Sequence, residues 1–297
     1  MNSKLERGLI SGTVFALIFY TFWILFFKSS EFEKFLHIIN PGYAAFLLIL
    51  LVASTFLKYI RWSIFLKAAG IKMPLLEGFK IHLAGLAGAP TPGKAGDLVK
   101  SLLLKKRGVP YRKSLPTILM ERLTDVVALS ILSIGVGTSG SAKYILIGLS
   151  VLLAIEILKR TGILNRVLER LSGQKAGDVF GDLLSTRVLV SGVLWDIAGW
   201  FVESLILKSI ASTYGVKMSS IESASTFALS ILLGSLAMLP GGIGLSEISM
   251  SALLVMKGAG GAEAGAITFY ARMFTLWAST IIGLCALLLE SKRWVFN

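Results

Sequence analysis

Long apolar segments alternate with short polar ones along most of the chain. Six of the apolar segments are close to twenty residues long and carry few charges. That is the length an α-helix needs to cross the hydrocarbon core of a bilayer. We predict transmembrane helices at residues 8–27, 42–59, 114–137, 142–158, 188–210 and 264–289. The predicted fold class is an all-α polytopic membrane protein, with one domain over residues 1–297.

Two further apolar segments are interrupted by the same motif, Pro-Gly-x-x-Gly. The first copy begins at Pro92 within residues 81–104, and the second begins at Pro240 within residues 224–256. A break in a helix leaves backbone N–H and C=O groups unpaired. Within a membrane such groups occur only where protein or a water-filled cavity surrounds them. Each arm of the first segment has about nine residues, or about 14 Å, which is half of the ~30 Å core. We therefore predict two re-entrant helical hairpins, although the first arm of the second, at about sixteen residues, is long enough to cross if steeply placed.

Basic residues predict the orientation. Five Lys or Arg residues precede the first hairpin and five follow it, so both of its ends are predicted to be cytoplasmic. The basic segment 159–187, read as an amphipathic linker on the membrane surface, and the C-terminal tail are predicted to be cytoplasmic too, giving an N-in, C-in protein. The second hairpin then enters from the outside. Residues 42–137 and 188–289 are therefore predicted to form an inverted-topology repeat.

Composition narrows the class of partners. The chain is 55% hydrophobic and 16% charged, with a net charge of +13. Its Lys and Arg lie between the apolar segments, where they orient a membrane protein, so nucleic-acid binding is not expected. One cysteine and two histidines do not favour a metal site, and no cofactor is expected. No nucleotide-binding motif is present, so any uphill transport is expected to use a proton or ion gradient or a downstream reaction.

The hairpin tips are candidate anion sites. Glycines let the chain turn with its N–H groups exposed, and the outgoing half-helix directs its positive dipole end towards the membrane midplane. Under the alternative, Pro and Gly only kink packed helices, and Asp97 with Lys100 form a local ion pair. The candidate residues at the tips are Pro92, Gly93, Lys94, Gly96, Asp97, Lys100, Pro240, Gly241, Gly242, Gly244 and Glu247.

Charged residues inside the predicted spans form a second candidate set. Such residues usually face a bundle interior or a wet cavity. Arg122 is spaced to pair with Asp125 at i+3; alternatively, Arg122 and Glu121 extend to the interface. Arg61 is interpreted as an interfacial anchor or as a guard of the cytoplasmic mouth. Asp196 and Glu203 are predicted to line the cavity or pair with Arg272. The candidates are Glu121, Arg122, Asp125 and Arg272, followed by Arg61, Asp196, Glu203 and Tyr270.

The ordered set of motifs carries a family resemblance. It consists of residues 92–97 with Lys100, residues 121–125, residues 239–244 with Glu247, and Arg272. It resembles the transmembrane region of lysylphosphatidylglycerol synthases and is similar to their stand-alone flippase-like relatives in bacteria and archaea. The resemblance implies a multi-pass protein of a prokaryotic plasma membrane. It also implies that a lipid with a charged head group moves between leaflets through the hairpins and buried charges.

Two departures from that family limit what the resemblance implies. Only seven residues follow Glu290, so we expect neither an aminoacyl-transferase domain nor lipid aminoacylation. Asp97 and Lys100 stand where the family more usually has glutamate and arginine. Because lysine lacks the planar fork with which arginine holds a phosphate, the head-group selectivity is expected to differ.

The sequence thus predicts a lipid flippase or scramblase rather than an enzyme. The predicted cargo is a phospholipid or a polyisoprenyl-phosphate-linked lipid with an anionic or zwitterionic head group. Lys94, Arg122 and Arg272 would hold the phosphate, and the acidic residues would balance them or couple transport to protons. One alternative is an ion-coupled secondary transporter of a small anionic solute. Another is a membrane enzyme acting on a lipid, which is disfavoured because the sequence shows hydroxyls such as that of Tyr270 but no well-placed histidine. The oligomeric state is left open between monomer and homodimer.

Overall fold

The computed structural model describes residues 21–23, 25, 33, 37, 39–91, 97–136, 179–236 and 239–292. Over these residues the secondary structure is helical and contains no β-strand, so the prediction of an all-helical protein is confirmed. The helices named below are, in chain order, α1 Pro41–Ala68, α2 Leu75–Gly85, α3 Leu98–Lys106, α4 Tyr111–Leu132, α5 Val179–Leu183, α6 Thr186–Thr213, α7 Ser220–Leu236, α8 Leu245–Met256, α9 Gly261–Arg272 and α10 Ala278–Lys292.

Three of the described helical segments are long and apolar enough to cross a membrane. They are Pro41–Ala68, Thr186–Thr213 and Gly261–Glu290; the last contains α9 and most of α10, joined by a π-helical turn at Met273–Trp277. The predicted span at 142–158, most of the one at 8–27 and most of the linker at 159–187 lie outside the described residues. The number of spans, the re-entry of the hairpins and the topology stay predictions.

Helix α1 extends nine residues beyond the end predicted for its span. It begins where the side chain of Asn40 accepts a hydrogen bond from the Tyr43 N–H at 2.8 Å, with Pro41 in the first turn, as is usual at helix N-termini. It ends before Gly70, whose φ of 68° is the left-handed conformation that commonly terminates helices. The extension carries Arg61 into the protein interior, where it is 2% exposed.

Both predicted helix breaks occur within paired short helices. In the first pair, α2 continues as a 3₁₀ turn at Leu86–Gly88 before α3 begins at residue 98. In the second pair, the turn between α7 and α8 contains Gly241, Gly242 and Gly244 with φ of 60°, 69° and 99°, which other residues adopt only with strain. Four candidates of the first tip lie outside the described residues, namely Pro92, Gly93, Lys94 and Gly96.

The two breaks meet in the middle of the bundle. A Cβ atom on Gly241 would lie 3.3 Å from the Cα of Pro90 and 3.2 Å from a methyl group of Leu276. Ile243 and Leu276 are buried beside them and pack against Ala89. The first hairpin, the second hairpin and the last long helix therefore converge at one place, and the candidate site lies there.

Gly283 sets the distance between α10 and the first hairpin. A Cβ atom at this position would lie 2.2 Å from the backbone nitrogen of Ala87 and 2.6 Å from the carbonyl carbon of Leu86. Backbone atoms cannot rotate away, so we expect Gly283→Ala to force the two elements apart and to lower the unfolding free energy by about 1–3 kcal/mol. Thermal unfolding in detergent measures this. Gly261→Ala is the control, because its Cβ would meet no atom within 4 Å; equal midpoints for both variants would contradict the prediction.

Candidate functional site

Helices α1 and α6 present polar stripes to each other. The stripe on each helix has i, i+4, i+7 spacing, which places its members on one face. Ser54 donates a hydrogen bond to Glu203 at 3.1 Å, and Lys58 forms an ion pair with the same carboxylate. Farther along, Arg61 pairs with Asp196. The stripes are Ser54, Lys58 and Arg61 on α1, and Asp196, Trp200 and Glu203 on α6.

Arg61 is the centre of a buried ionic cluster. Its guanidinium contacts Glu121 and Asp125 of α4 at 2.8 Å each and also pairs with Asp196 of α6. Burying a charge is costly unless it is paired and hydrogen-bonded, and here one planar fork pairs with three carboxylates. The interpretation of Arg61 as an interfacial anchor is therefore wrong, because α1 carries its side chain between α4 and α6. Its role as a guard of the cytoplasmic mouth stays a prediction.

The cluster continues to the outgoing helix of the first hairpin. Lys100 pairs with Glu121 and lies 3.7 Å from Asp97. Arg122 contacts Asp97 at 2.9 Å and Asp125 at 2.8 Å, so the predicted i+3 pairing of Arg122 is present. Glu121 is fully buried, which excludes the alternative that it extends to the interface.

The second hairpin has its own buried pair. Glu247 accepts a hydrogen bond from the Gly244 N–H at 2.7 Å and one from the Nε of Arg272 at 2.7 Å. Arg272 also donates to the carbonyl of Gly241 at 2.7 Å. An internal carboxylate thus lies at the helix N-terminus, where negative charge is favoured. The predicted alternative in which Asp196 or Glu203 pairs with Arg272 is wrong.

The acid–arginine pairing is the same in both halves of the chain. Asp97 pairs with Arg122, and Glu247 pairs with Arg272. In both pairs the arginine follows the acid by 25 residues. In each case the acid lies at the start of the helix that follows the break, and the arginine lies on the next long segment. This repetition agrees with the predicted division into halves at 42–137 and 188–289, whose inverted relation stays a prediction.

One cavity of about 330 Å³ connects these groups. It lies between the two breaks and is walled by α1, α4, α6 and the last long segment. Many of the residues predicted as candidates contribute to its lining, and they come from both halves of the chain. These residues are Arg61, Asp97, Lys100, Glu121, Arg122, Asp125, Glu203, Gly241, Gly242 and Arg272.

The other described candidates do not line the cavity. Asp196 and Glu247 lie behind the lining and hold Arg61 and Arg272 in place. Pro240 and Gly244 belong to the second break, whereas Tyr270 lies in α9 with its ring against Phe269. Among the described residues, no group of three or more His, Cys, Asp or Glu side chains is placed to hold a metal ion.

Among the described lining residues, three with an ionisable or aromatic side chain were not selected in the sequence analysis. They are Lys58, His82 and Trp200. Lys58 and Trp200 belong to the facing stripes of α1 and α6. The i, i+4, i+7 spacing of these stripes is the sequence signal by which they could have been found. His82 is 4% exposed and packs beside the ring of Trp62. The expectation that no histidine lies at the site is therefore wrong; a lone histidine in α2 gave no signal.

Comparison with known proteins places the cavity in a family context. The profile of the family described as the lysylphosphatidylglycerol synthase TM region matches residues 8–283. The chain belongs to this family. Membership confirms the resemblance stated above, and every described residue that lines the cavity lies within the matched range. Together with the three long apolar helices, it establishes a multi-pass membrane protein.

Three curated proteins to which the chain is similar come from two archaea. A UPF0104 membrane protein of Pyrococcus horikoshii is 22% identical over 267 residues, which cover 75% of this chain and 80% of the relative. A UPF0104 membrane protein of Methanothermobacter thermautotrophicus is 31% identical over 133 residues, covering 43% of this chain and 40% of the relative. A further match to that organism is 22% identical over 304 residues, covering 89% and 90%. The matched family describes a membrane region rather than a catalytic domain.

Proposed function

We propose that this protein is a flippase or scramblase for a lipid with an anionic, phosphate-bearing head group. The observation that supports it is the cavity between the two breaks, whose lining combines five basic and four acidic side chains within a bundle of apolar helices. Ionisable residues at membrane depth are costly and mark pathways for charged substrates. Broken helices at a repeat interface are where transporters bind such substrates. The basic lining residues are Lys58, Arg61, Lys100, Arg122 and Arg272.

Arg122 is the group best placed to receive the phosphate. Its side chain is 29% exposed, whereas those of Arg61 and Arg272 are 2% and 4% exposed. Arg61 is already engaged by three carboxylates, and Arg272 by Glu247 and a backbone carbonyl. A guanidinium holds a phosphate by two parallel hydrogen bonds, so exchange of Asp97 for a phosphate at Arg122 replaces one anion by another.

The neighbouring groups give that exchange a mechanism. When a phosphate displaces Asp97 from Arg122, Asp97 moves towards Lys100, which lies 3.7 Å away. We propose that Lys94 adds a further cation at the first tip and that Arg272 receives the head group at the second. Gly241 and Gly242 supply the backbone freedom for this movement. A proton taken up by one of the cavity carboxylates is the coupling ion that we propose for uphill transport.

The dimensions of the cavity agree with a head group as its occupant. A volume of about 330 Å³ is at the lower end of the range of small-molecule sites, about 300–1,000 Å³. Such a volume accommodates a phosphate head group but not two acyl chains or a polyisoprenyl chain. The apolar chains would therefore remain in the bilayer while the head group crosses.

Two other functions use the same cavity. A small anionic solute fits the volume and charge equally well, which would make the protein a secondary transporter. A lipid-processing enzyme needs a general base, and His82 is the histidine that lines the cavity among the described residues. A solute transporter is distinguished from a lipid flippase by uptake of a water-soluble anion, and an enzyme is distinguished by a chemical change in the lipid.

The deciding experiment is leaflet exchange in proteoliposomes. Fluorescent phosphatidylglycerol and a short fluorescent polyisoprenyl phosphate, both quenchable by dithionite, are measured with and without a pH gradient. We expect exchange of at least one probe above that of protein-free liposomes. Uptake of radiolabelled phosphate or glycerol phosphate without lipid exchange would instead identify a solute transporter. A change of lipid mass after incubation would identify an enzyme.

A further inference from the structure

The side chain of Lys58 occupies an aromatic and acidic corner of the cavity. Its ammonium lies 3.2 Å from the centre of the Trp200 ring and forms an ion pair with Glu203. All three residues line the cavity. An aromatic face with a carboxylate beside it is the arrangement by which proteins bind ammonium ligands. In this chain the position of such a ligand is occupied by the ammonium of Lys58.

The surrounding residues hold this arrangement in place. Ser54 donates a second hydrogen bond to Glu203 at 3.1 Å, and the indole N–H of Trp200 donates to Asp125 at 3.1 Å, which fixes the ring. A Cβ atom on Gly199 would lie 2.8 Å from Cγ of Lys58. The absence of a side chain at position 199 therefore gives the Lys58 stem its path to the ring.

We propose that Lys58 is a tethered ammonium that determines head-group specificity by excluding lipids whose head group carries an amine. This inference rests on the proposed function and narrows its cargo to phosphate head groups without an ammonium. Phosphatidylglycerol and polyisoprenyl phosphates belong to that class, and phosphatidylethanolamine does not.

The selectivity follows from repulsion between the Lys58 ammonium and an ammonium on the head group, as well as from attraction of the phosphate. Asp125 contacts Arg122 at 2.8 Å and accepts the indole N–H of Trp200 at 3.1 Å, so Arg122 and the ring lie on either side of one carboxylate. A zwitterionic head group with its phosphate at Arg122 would therefore bring its ammonium towards the ring already covered by Lys58. It would then meet a like charge, or displace Lys58 and leave that charge without its carboxylate, and both outcomes are unfavourable. A head group with a hydroxyl in place of the amine leaves the Lys58 pair intact.

Removing the tethered charge tests the proposal directly. Lys58→Met keeps the length of the stem but deletes the ammonium. Binding of sn-glycero-3-phosphoethanolamine and sn-glycero-3-phosphoglycerol to the purified protein is measured by calorimetry in detergent. We expect the variant to shift the affinity ratio towards the ethanolamine probe by about tenfold. Lys58→Arg, which restores a cation on the ring, is expected to keep the wild-type ratio.

A matched lysine outside the cavity controls for the loss of an ion pair. Lys257, which directly follows α8, pairs with Glu222 in the first turn of α7. Its hydrogen bond, together with those from Ser219, lowers the pKa of Glu222 to about 2. Lys257→Met is expected to leave the ratio of the two affinities unchanged. In the Lys58→Met background, Trp200→Leu is expected to remove the gain, because the aromatic face is then lost.

The results separate this inference from the proposed function. An unchanged affinity ratio in Lys58→Met overturns the inference even if the wild-type protein exchanges lipids. Conversely, a wild-type protein that exchanges no lipid fails the proposed function, whereas the binding measurement still decides the role of Lys58. If Lys58→Met does not fold, Gly199→Ala is measured instead. Its Cβ displaces the Lys58 stem, and a ratio that stays at the wild-type value in that variant overturns the inference as well.

Discussion

Replacement of Arg61 by leucine is expected to prevent the protein from being purified as a stable, monodisperse species. The guanidinium is the shared partner of Glu121, Asp125 and Asp196. Removing one member of a buried ion pair typically costs about 3–5 kcal/mol, because the remaining charge is left uncompensated. Whole domains are stable by only about 5–15 kcal/mol. Yield, size-exclusion profile and thermal unfolding in detergent measure the effect.

Arg107 provides the matched control for Arg61. It also joins two carboxylates, those of Glu77 and Glu290. Its side chain is 14% exposed against 2% for Arg61, and that of Glu77 is 40% exposed, so solvent compensates for part of its loss. Arg107→Leu is therefore expected to cost less. Arg61→Leu combined with Asp196→Asn should recover part of the stability, because the variant no longer buries that carboxylate without a partner. A wild-type unfolding midpoint for Arg61→Leu alone would show that the cluster is not stabilised as described.

Replacement of Arg122 by alanine is expected to lower lipid exchange by about 100-fold while leaving the protein folded. Hydrogen bonds to charged groups contribute about 1.5–3 kcal/mol each, and each 1.4 kcal/mol corresponds to a factor of ten. Arg122 has the most exposed side chain of the three arginines that line the cavity, so its removal costs less folding energy than that of Arg61. The loss of Arg122 therefore weakens binding of the transported head group rather than the folded state. Initial rates of dithionite-resolved exchange measure the effect.

Two variants make the Arg122 result specific. Arg107→Ala removes an arginine that also pairs with two carboxylates but does not line the cavity, and it should exchange lipid at nearly the wild-type rate. Arg122→Lys keeps the charge without the planar fork and should lie between alanine and the wild type. Wild-type exchange by Arg122→Ala, with normal unfolding, would remove Arg122 from the proposed phosphate site.

Local chemistry explains the predictions that the structure confirms. The helix break at Pro240 and the glycines after it was predicted because proline removes a backbone donor and glycine adopts positive φ wherever it occurs. The pair between Arg122 and Asp125 was predicted because residues three apart are neighbours on any helix. Such features depend on a few consecutive residues, so the sequence alone determined them. The helical class followed in the same way from the length of the apolar segments.

Contacts between distant segments were decided only by the tertiary structure. Charge counting interpreted Lys58 and Arg61 as residues flanking a span, because hydropathy averages over a window and does not report which face of a helix is buried. The packing of α1 against α4 and α6 brings Arg61 to three carboxylates and Lys58 to Trp200. These partners are 60 to 142 residues away along the chain, and no local preference encodes their proximity. The sequence thus determined the helices, the breaks and the kind of charge at the site, and the packing of helix faces determined which charges meet.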